Sequence, residues 1–443
     1  MKKSTLILVG IAAIVVGFVY WYEFKRTPTQ KSAANPAVFH FKPDDVESVT
    51  FSRPQQTIVV SRKGTGWQIT QPVQTRADTN VVADLLNDVT LSRSSRSLTA
   101  TPDQLKEFGL KPPALTLGFK LKNGQQRQLR VGRTDFTGDS VYAQTNTSNH
   151  VLLVPSSVLT DGNKTVAQLR DNSVLGISFA DVQSFDLQSS AGKIEADRTT
   201  GNGSNWMIQK PVKTLGDGTA IENLIDAVAN AKLTKVVSEN DDHLATYGLA
   251  HPALSFQVHL NSGAERALEL GHELGDQIFA RDTSRNMVFL VPASFRKKLD
   301  LTLFDLRNKT LVNSLPDAFS RIDYRSATLR FSCGVNNTGN WVMFQPAKDK
   351  GKQVANWKVF NPLSSSSAKD ILDSPPATLQ ALMKKPAIVI DLTRTDGSKK
   401  TIRISRPVGN RIYASASDMR GLFQMSKSDL DSLFFKSASD ILQ

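Results

Sequence analysis

One passage of this chain is written twice. Trp67-Gln-Ile-Thr-Gln-Pro72 returns as Trp206-Met-Ile-Gln-Lys-Pro211, an offset of 139 residues. The same offset carries Gly109-Leu110 onto Gly248-Leu249, Pro113-Ala114-Leu115 onto Pro252-Ala253-Leu254, and Val131-Gly132 onto Leu270-Gly271. Trp67 to Gly132, 66 residues, is thus duplicated without a gap. Whatever fold one copy takes, the other must take too, so the repeat constrains architecture more than any single motif.

Each copy opens on alternating apolar residues, the pattern of half-buried strands: Val46–Phe51, Thr57–Ser61 and Trp67–Thr70 in the first. An amphipathic helix follows. Val82, Leu85, Leu86 and Val89 stand at i, i+3, i+4 and i+7, as do Ile221, Leu224, Ile225 and Val228. Asp78 and Asp217 lie just upstream as candidate caps. A short second helix is expected in each copy, capped by Thr101 with Pro102 at its first position and ended by Gly109; Asn240 and Gly248 fill those roles in the second. Next comes a hairpin, Ala114–Leu121 and Gln128–Val131, turning at Asn123-Gly124 or Ser262-Gly263. Asn-Gly predicts a tight turn with both central residues at positive φ. Two more strands close each unit, Val141–Ala143 with Val151–Val154 and Ile278–Ala280 with Val288–Val291, now at an offset of 137.

A third, degenerate unit follows at an offset of 134 through Pro386–Ile388, Ile402–Ile404, Ile412–Ala414 and Leu422-Phe423. Trp341-Val-Met-Phe-Gln-Pro346 and Trp357-Lys-Val-Phe-Asn-Pro362 compete for its first tryptophan position. Spacing favours Trp341, and the helix-starting context after Pro362 favours Trp357. Ser364–Ser367 and Pro375-Pro376 predict a shortened helical layer. The expected fold is α+β: tandem repeats of mainly antiparallel sheet packed by short helices, spanning residues 38–172, 173–312 and 313–443.

The N-terminus reads differently. Thr5–Tyr22 is 18 residues without a charge, preceded by Lys2 and Lys3 and closed by Glu23, Lys25 and Arg26. As a helix it nearly spans a hydrocarbon core. It is longer than a signal-peptide core, and bulky aromatics stand where cleavage would fall, so residues 5–22 are expected to be an uncleaved transmembrane anchor. Residues 23–37 form a linker. Charge balance across the span is nearly even; one anchor before a large folded body predicts a single-pass inner-membrane protein with its bulk extracytoplasmic.

The formal net charge of +13 is unevenly spread. Residues 173–312 hold 14 basic and 17 acidic residues, and residues 313–443 hold 19 and 11, a net +8. Basic residues alternate with apolar ones, as in Thr401-Ile-Arg-Ile-Ser-Arg406, the pattern of a solvated strand face rather than a nucleic-acid surface. The alternative partner of the last third is an anionic lipid surface or envelope polymer. The single Cys333 forms no internal disulfide.

Candidate chemistry is thin. His243, His251, His259 and His272 cluster in the second copy near Asp241 and Asp242, but their first-copy counterparts are Gln104, Pro112, Lys120 and Arg133, ordinary surface residues. Ser366-Ser-Ala-Lys369 fits Ser-x-x-Lys without the partner motifs that chemistry needs. Glycines at 201–203 and 216–218 precede no Walker-type lysine. Trp67 and Trp206 read as core anchors rather than stacking platforms. No catalytic, cofactor-binding or metal-binding residue is assigned.

Taken together, Trp-x-Ile-x-x-Pro, the Asp-led helix, (Tyr/Phe)-Gly-Leu-x-x-Pro-Ala-Leu, (Val/Leu)-Gly and Val-x-Leu-Val-Pro resemble the bacterial domain-of-unknown-function family 4340. The resemblance is good over residues 40–310 and weak after that, because no Tyr-Gly-Leu precedes Pro386. It implies a non-enzymatic, membrane-anchored envelope protein, an accessory component beside a gliding-motility-type ABC transporter, with protein partners in that complex. The alternative is a binding module for an anionic cell-wall or membrane-surface polymer.

Overall fold

Alternation along the first strands buries Val46, Val49, Phe51, Ile58, Val60 and Ile69 on one face and leaves the other to solvent. The computed structural model describes residues 37–145, 150–199 and 206–443. The expected anchor at 5–22, most of the linker at 23–37 and the glycines at 201–203 lie outside the described residues. Among the described residues no helix is long and apolar enough to cross a membrane.

The first sheet comprises β1 (Val46–Arg53), β2 (Gln56–Lys63), β3 (Gly66–Gln71), β4 (Thr75–Ala77), β5 (Arg96–Thr99), β6 (Leu115–Leu121), β7 (Gln126–Thr134), β8 (Ser140–Thr145) and β9 (His150–Pro155). Its order is β4-β3-β2-β1-β6-β7-β8-β9-β5, with neighbours antiparallel. The second sheet repeats this order with β10 (Val182–Ser189), β11 (Gly192–Arg198), β12 (Trp206–Lys210), β13 (Thr214–Leu215), β14 (Lys235–Ser238), β15 (Leu254–Leu260), β16 (Glu265–Leu274), β17 (Gln277–Asp282) and β18 (Val288–Pro292). The third holds β19 (Phe319–Ser326), β20 (Arg330–Val335), β21 (Trp341–Gln345), β22 (Asp370–Leu372), β23 (Ile388–Arg394), β24 (Lys399–Ile404), β25 (Arg411–Ala416) and β26 (Leu422–Ser426). Among the described residues it lacks a counterpart of the edge strands β4 and β13. The architecture is α+β. Residues to Asn172 form one compact unit, and Ser173 onward forms another holding the second and third sheets.

An amphipathic helix packs on each sheet. Thr79–Leu91 buries Val82, Leu85, Leu86 and Val89, and Gly218–Ala229 buries Ile221, Leu224, Ile225 and Val228, the two expected stripes. Asp78 accepts the amides of Asn80 and Val81, and Asp217 accepts that of Ala220, satisfying donors the first turn leaves open. The third helix, Trp357–Ser365, is shorter and has no side-chain cap. Trp341 is the third tryptophan: it opens β21 and pairs with Val335 of β20, whereas Trp357 sits on the helix and is exposed.

Two expectations need correcting. The Asn123-Gly124 turn has one left-handed residue, not two: only Gly124 has positive φ, at 80°. The Gly124 amide donates to Leu121 and the Leu121 amide to Gln125, a type I turn closed by a glycine bulge. The residue before the glycine accepts the amide two positions on, as Asn123, Ser262 and Asp396 all do. That role explains why the three are interchangeable. The second correction is Asn240, which caps no α-helix. Leu244–Tyr247 is a 3-10 turn entered through left-handed His243. Thr101 does cap the helix Pro102–Glu107, as its sequence predicts.

The (Phe/Tyr)-Gly-Leu motif also has a steric cause. Gly109 and Gly248 are left-handed, at φ 71° and 70°. This turn brings the Phe108 carbonyl against Gly132, and that of Tyr247 against Gly271, where any Cβ would overlap it. The strand bulges there, and the Arg133 amide donates to Phe108 at 2.8 Å. Above each turn Phe108 stacks on Tyr142 at 4.2 Å, and Tyr247 meets Phe279 at 5.0 Å. The third repeat has no such turn, and Ser405 stands where Gly271 does.

Candidate interaction site

Each amphipathic helix faces a segment that closes its sheet after the last long strand. In the second repeat that segment runs through the helices Ser294–Leu299 and Leu303–Leu306. Between it and Gly218–Ala229 lies a groove of about 770 Å³. Leu224, Val291 and Phe295 are buried beneath it, while Asp226, Lys232, Lys298 and Asp305 stand among its lining. An apolar floor with mixed charge around it suits a peptide segment more than a small polar substrate.

The third repeat carries a groove in the same place. Trp357–Ser365 faces the segment Lys427–Ile441 across about 540 Å³ lined by Trp357, Pro362, Phe434 and Phe435. Leu301 and Phe435 are related by the offset of 134. Trp357 is 53% exposed at this site. Lys358 donates to the Asp440 carbonyl at 2.8 Å, tying helix to closing segment. The amides of Ser437 and Lys436 hold the Asp440 carboxyl below the usual carboxylate range. Hydrogen bonding from Thr302 does the same for Asp305.

The residues singled out by sequence do not assemble into a centre. His259 lies on β15 beside Glu265 at 3.2 Å, and His272 on β16 has its ring over Gly248. His243 and His251 are exposed around the Tyr-Gly-Leu turn. Asp241 is instead paired with Arg281 at 3.0 Å. Among the described residues no three His, Cys, Asp or Glu side chains are placed to hold a metal. The Ser366 hydroxyl donates to the Asp429 carbonyl at 3.2 Å, and Gly216 is packed against Ile221. Trp67 and Trp206 are buried, at 5% and 0% exposure, under the guanidinium groups of Arg62 and Arg198. Each arginine also donates to the first strand and the turn before it: Arg62 to Val46 and Pro43, Arg198 to Val182 and Phe179. The pair was missed because its offset is 136 rather than 139: Arg62 stands five residues before Trp67, and Arg198 stands eight before Trp206.

Buried charge also escaped the sequence reading. Lys400, 1% exposed, meets Asp418 at 2.9 Å; burial pushes its ammonium pKa down, against the pull of Asp418. Asp282 and Arg285 form a buried pair in the second sheet, and Arg285 also donates to the Ser173 and Val174 carbonyls.

No curated protein and no solved structure matches the chain. A family model described as Domain of unknown function (DUF4340) matches residues 67–204 and 206–386. The two matches start at Trp67 and Trp206, so they run out of phase with the sheets, each taking in the opening strands of the next. With most of its length covered, the chain belongs to the DUF4340 family.

Proposed function

We propose that this chain is a non-enzymatic, membrane-tethered envelope protein, the accessory extracytoplasmic component of an ABC-type transport system. The observation that carries the reading is the recurrence of one groove, between helix and closing segment, in the second and third repeats. A tandem array offering equivalent grooves suits repeated contact with a partner protein. The uncharged run Thr5–Tyr22 supports tethering, and the ABC-type assembly is what the resemblance of the repeated motifs implies.

Fractionation and native co-purification test it together. The full-length protein should sediment with membranes, retain Met1 or Lys2 as its N-terminus, and co-purify with an ATPase–permease pair. A soluble mature chain beginning near Asn35 overturns the anchor, and co-purification with wall-synthesis proteins alone overturns the assembly. A second reading, binding of an anionic wall or membrane-surface polymer, is favoured by the net +8 of residues 313–443.

A further inference from the structure

The repeats supply an internal control for one charged position. In the second sheet Glu269 on β16 lies opposite Arg281 on β17. Arg281 is closed by Asp241 at 3.0 Å and by Glu269 at 3.6 Å. At the offset of 134 these three positions become Pro375, Arg403 and Ser415, and Arg403 lies opposite Ser415 across β24 and β25. Both carboxylates have gone, and the cation has moved to the other strand.

What remains is a groove of about 450 Å³ lined by Lys384, Arg403, Ser415 and Met383. Its carboxylate, Asp373, is held by two guanidinium nitrogens of Arg307 at 2.9 and 3.1 Å. Among the described residues the side chains of Arg403 and Lys384 have no ion-pair or hydrogen-bond partner. The surroundings add to the field. β23 starts at Ile388 opposite Ile404, so Lys385, Arg406 and Arg411 lie at this same end of the sheet, likewise without ion-pair partners among the described residues. Between Arg406 and Arg411 the hairpin tip carries Val408, 48% exposed.

We propose that this groove binds a phosphate group, carried by a lipid headgroup or free in solution. A guanidinium fork, an ammonium and a hydroxyl supply donors for three oxygens of one tetrahedral anion, more than a lone carboxylate requires. The inference rests on the second reading above, that the basic last third meets an anion, and assigns that contact to named residues.

Calorimetry on the full-length protein in nonionic detergent tests it, with inorganic phosphate and dihexanoyl-phosphatidylglycerol as separate probes. The double variant Arg403→Glu/Ser415→Arg rebuilds the ion pair of the second repeat and should weaken binding at least tenfold without lowering the melting temperature. Lys384→Ala, on an exposed helix end, should weaken it several-fold and gives a second readout. Equal affinity for both probes assigns the site to phosphate itself, and tighter binding of the lipid assigns it to a headgroup. Binding unchanged in both variants overturns the site. If those variants still float with phosphatidylglycerol vesicles in a salt-sensitive manner, the groove fails while the broader charge reading survives. If the wild type ignores both probes and the vesicles, both fail.

Discussion

Arg307, 2% exposed, grips Asp373 through two nitrogens at 2.9 and 3.1 Å. Arg307 ends the second repeat and Asp373 follows β22 in the third, so the pair joins two sheets of one unit. Backbone bonds reinforce the junction, from Val312 to Leu363 and from Ala368 to Lys309. Removing one partner of a buried pair strands the other charge. Asp373→Ala should therefore cost about 3 kcal/mol, the low end of the range because Asp373 is a quarter exposed. Arg307→Met should cost less, since the carboxylate it leaves unpaired is a quarter exposed and reaches water, whereas the guanidinium stranded by Asp373→Ala is 2% exposed. Denaturant midpoints of the two variants check the order, and a larger loss for Arg307→Met contradicts it.

The tryptophans give a second expectation. Trp206 is fully buried against Phe185 and Phe179. Trp206→Ala should cost about 3–5 kcal/mol, as should Trp67→Ala in the first unit. Calorimetry should show Trp67→Ala lowering a transition that Trp206→Ala leaves in place. A single transition shifted equally by both would contradict independent units.

Gly271 tests the steric account of the family motif. Its substitution by alanine drives a Cβ into the Tyr247 carbonyl, and overpacking of this kind costs about 1–3 kcal/mol. In the third repeat Ser405 stands at that position and no Tyr-Gly-Leu segment precedes it. Ser405→Gly relieves no overlap and loses two bonds, from the Tyr413 amide to the Ser405 hydroxyl and from that hydroxyl to the Arg406 carbonyl, about 1 kcal/mol each. Urea melts of both variants decide it; a neutral Gly271→Ala would remove the explanation.

Alkaline pH should weaken the third sheet. Burial pushes the Cys333 thiol up to about 12 and the Tyr324 phenol up to about 12. Both groups ionise in the unfolded chain first, so stability is fully present below pH 9 and falls as pH rises toward 12. Lys400, its pKa lowered by burial, acts in the opposite sense below its unfolded value. The difference between wild type and Cys333→Ala isolates the thiol. That difference should shrink steadily between pH 9 and 12 in melting curves, and a constant difference would contradict a buried neutral thiol.

Much of this was readable in the residues. The four-residue stripes and the Asp78 and Asp217 caps were legible because helix period and capping are local properties. Spacing favours Trp341 and the helix-starting context favours Trp357, and only the strand pairing of Trp341 with Val335 decides between them. Asn123-Gly124 misled because two turn types share that dipeptide. Arg307 and Asp373 are 66 residues apart with no local signal. The Arg403 groove was hidden for another reason: it depends on which partners are missing, and only the aligned sheets reveal them.

Photocrosslinking from the grooves tests the central claim, that the array docks a partner protein. A photoreactive residue at Ala227 lines the second-repeat groove, and one at Asn361 lines the third. In native membranes both positions should give adducts with the same transport-complex subunit, and a control at Phe136, 97% exposed and outside either groove, should not. Adducts from Phe136 alone, or none from Ala227 and Asn361, would contradict the account.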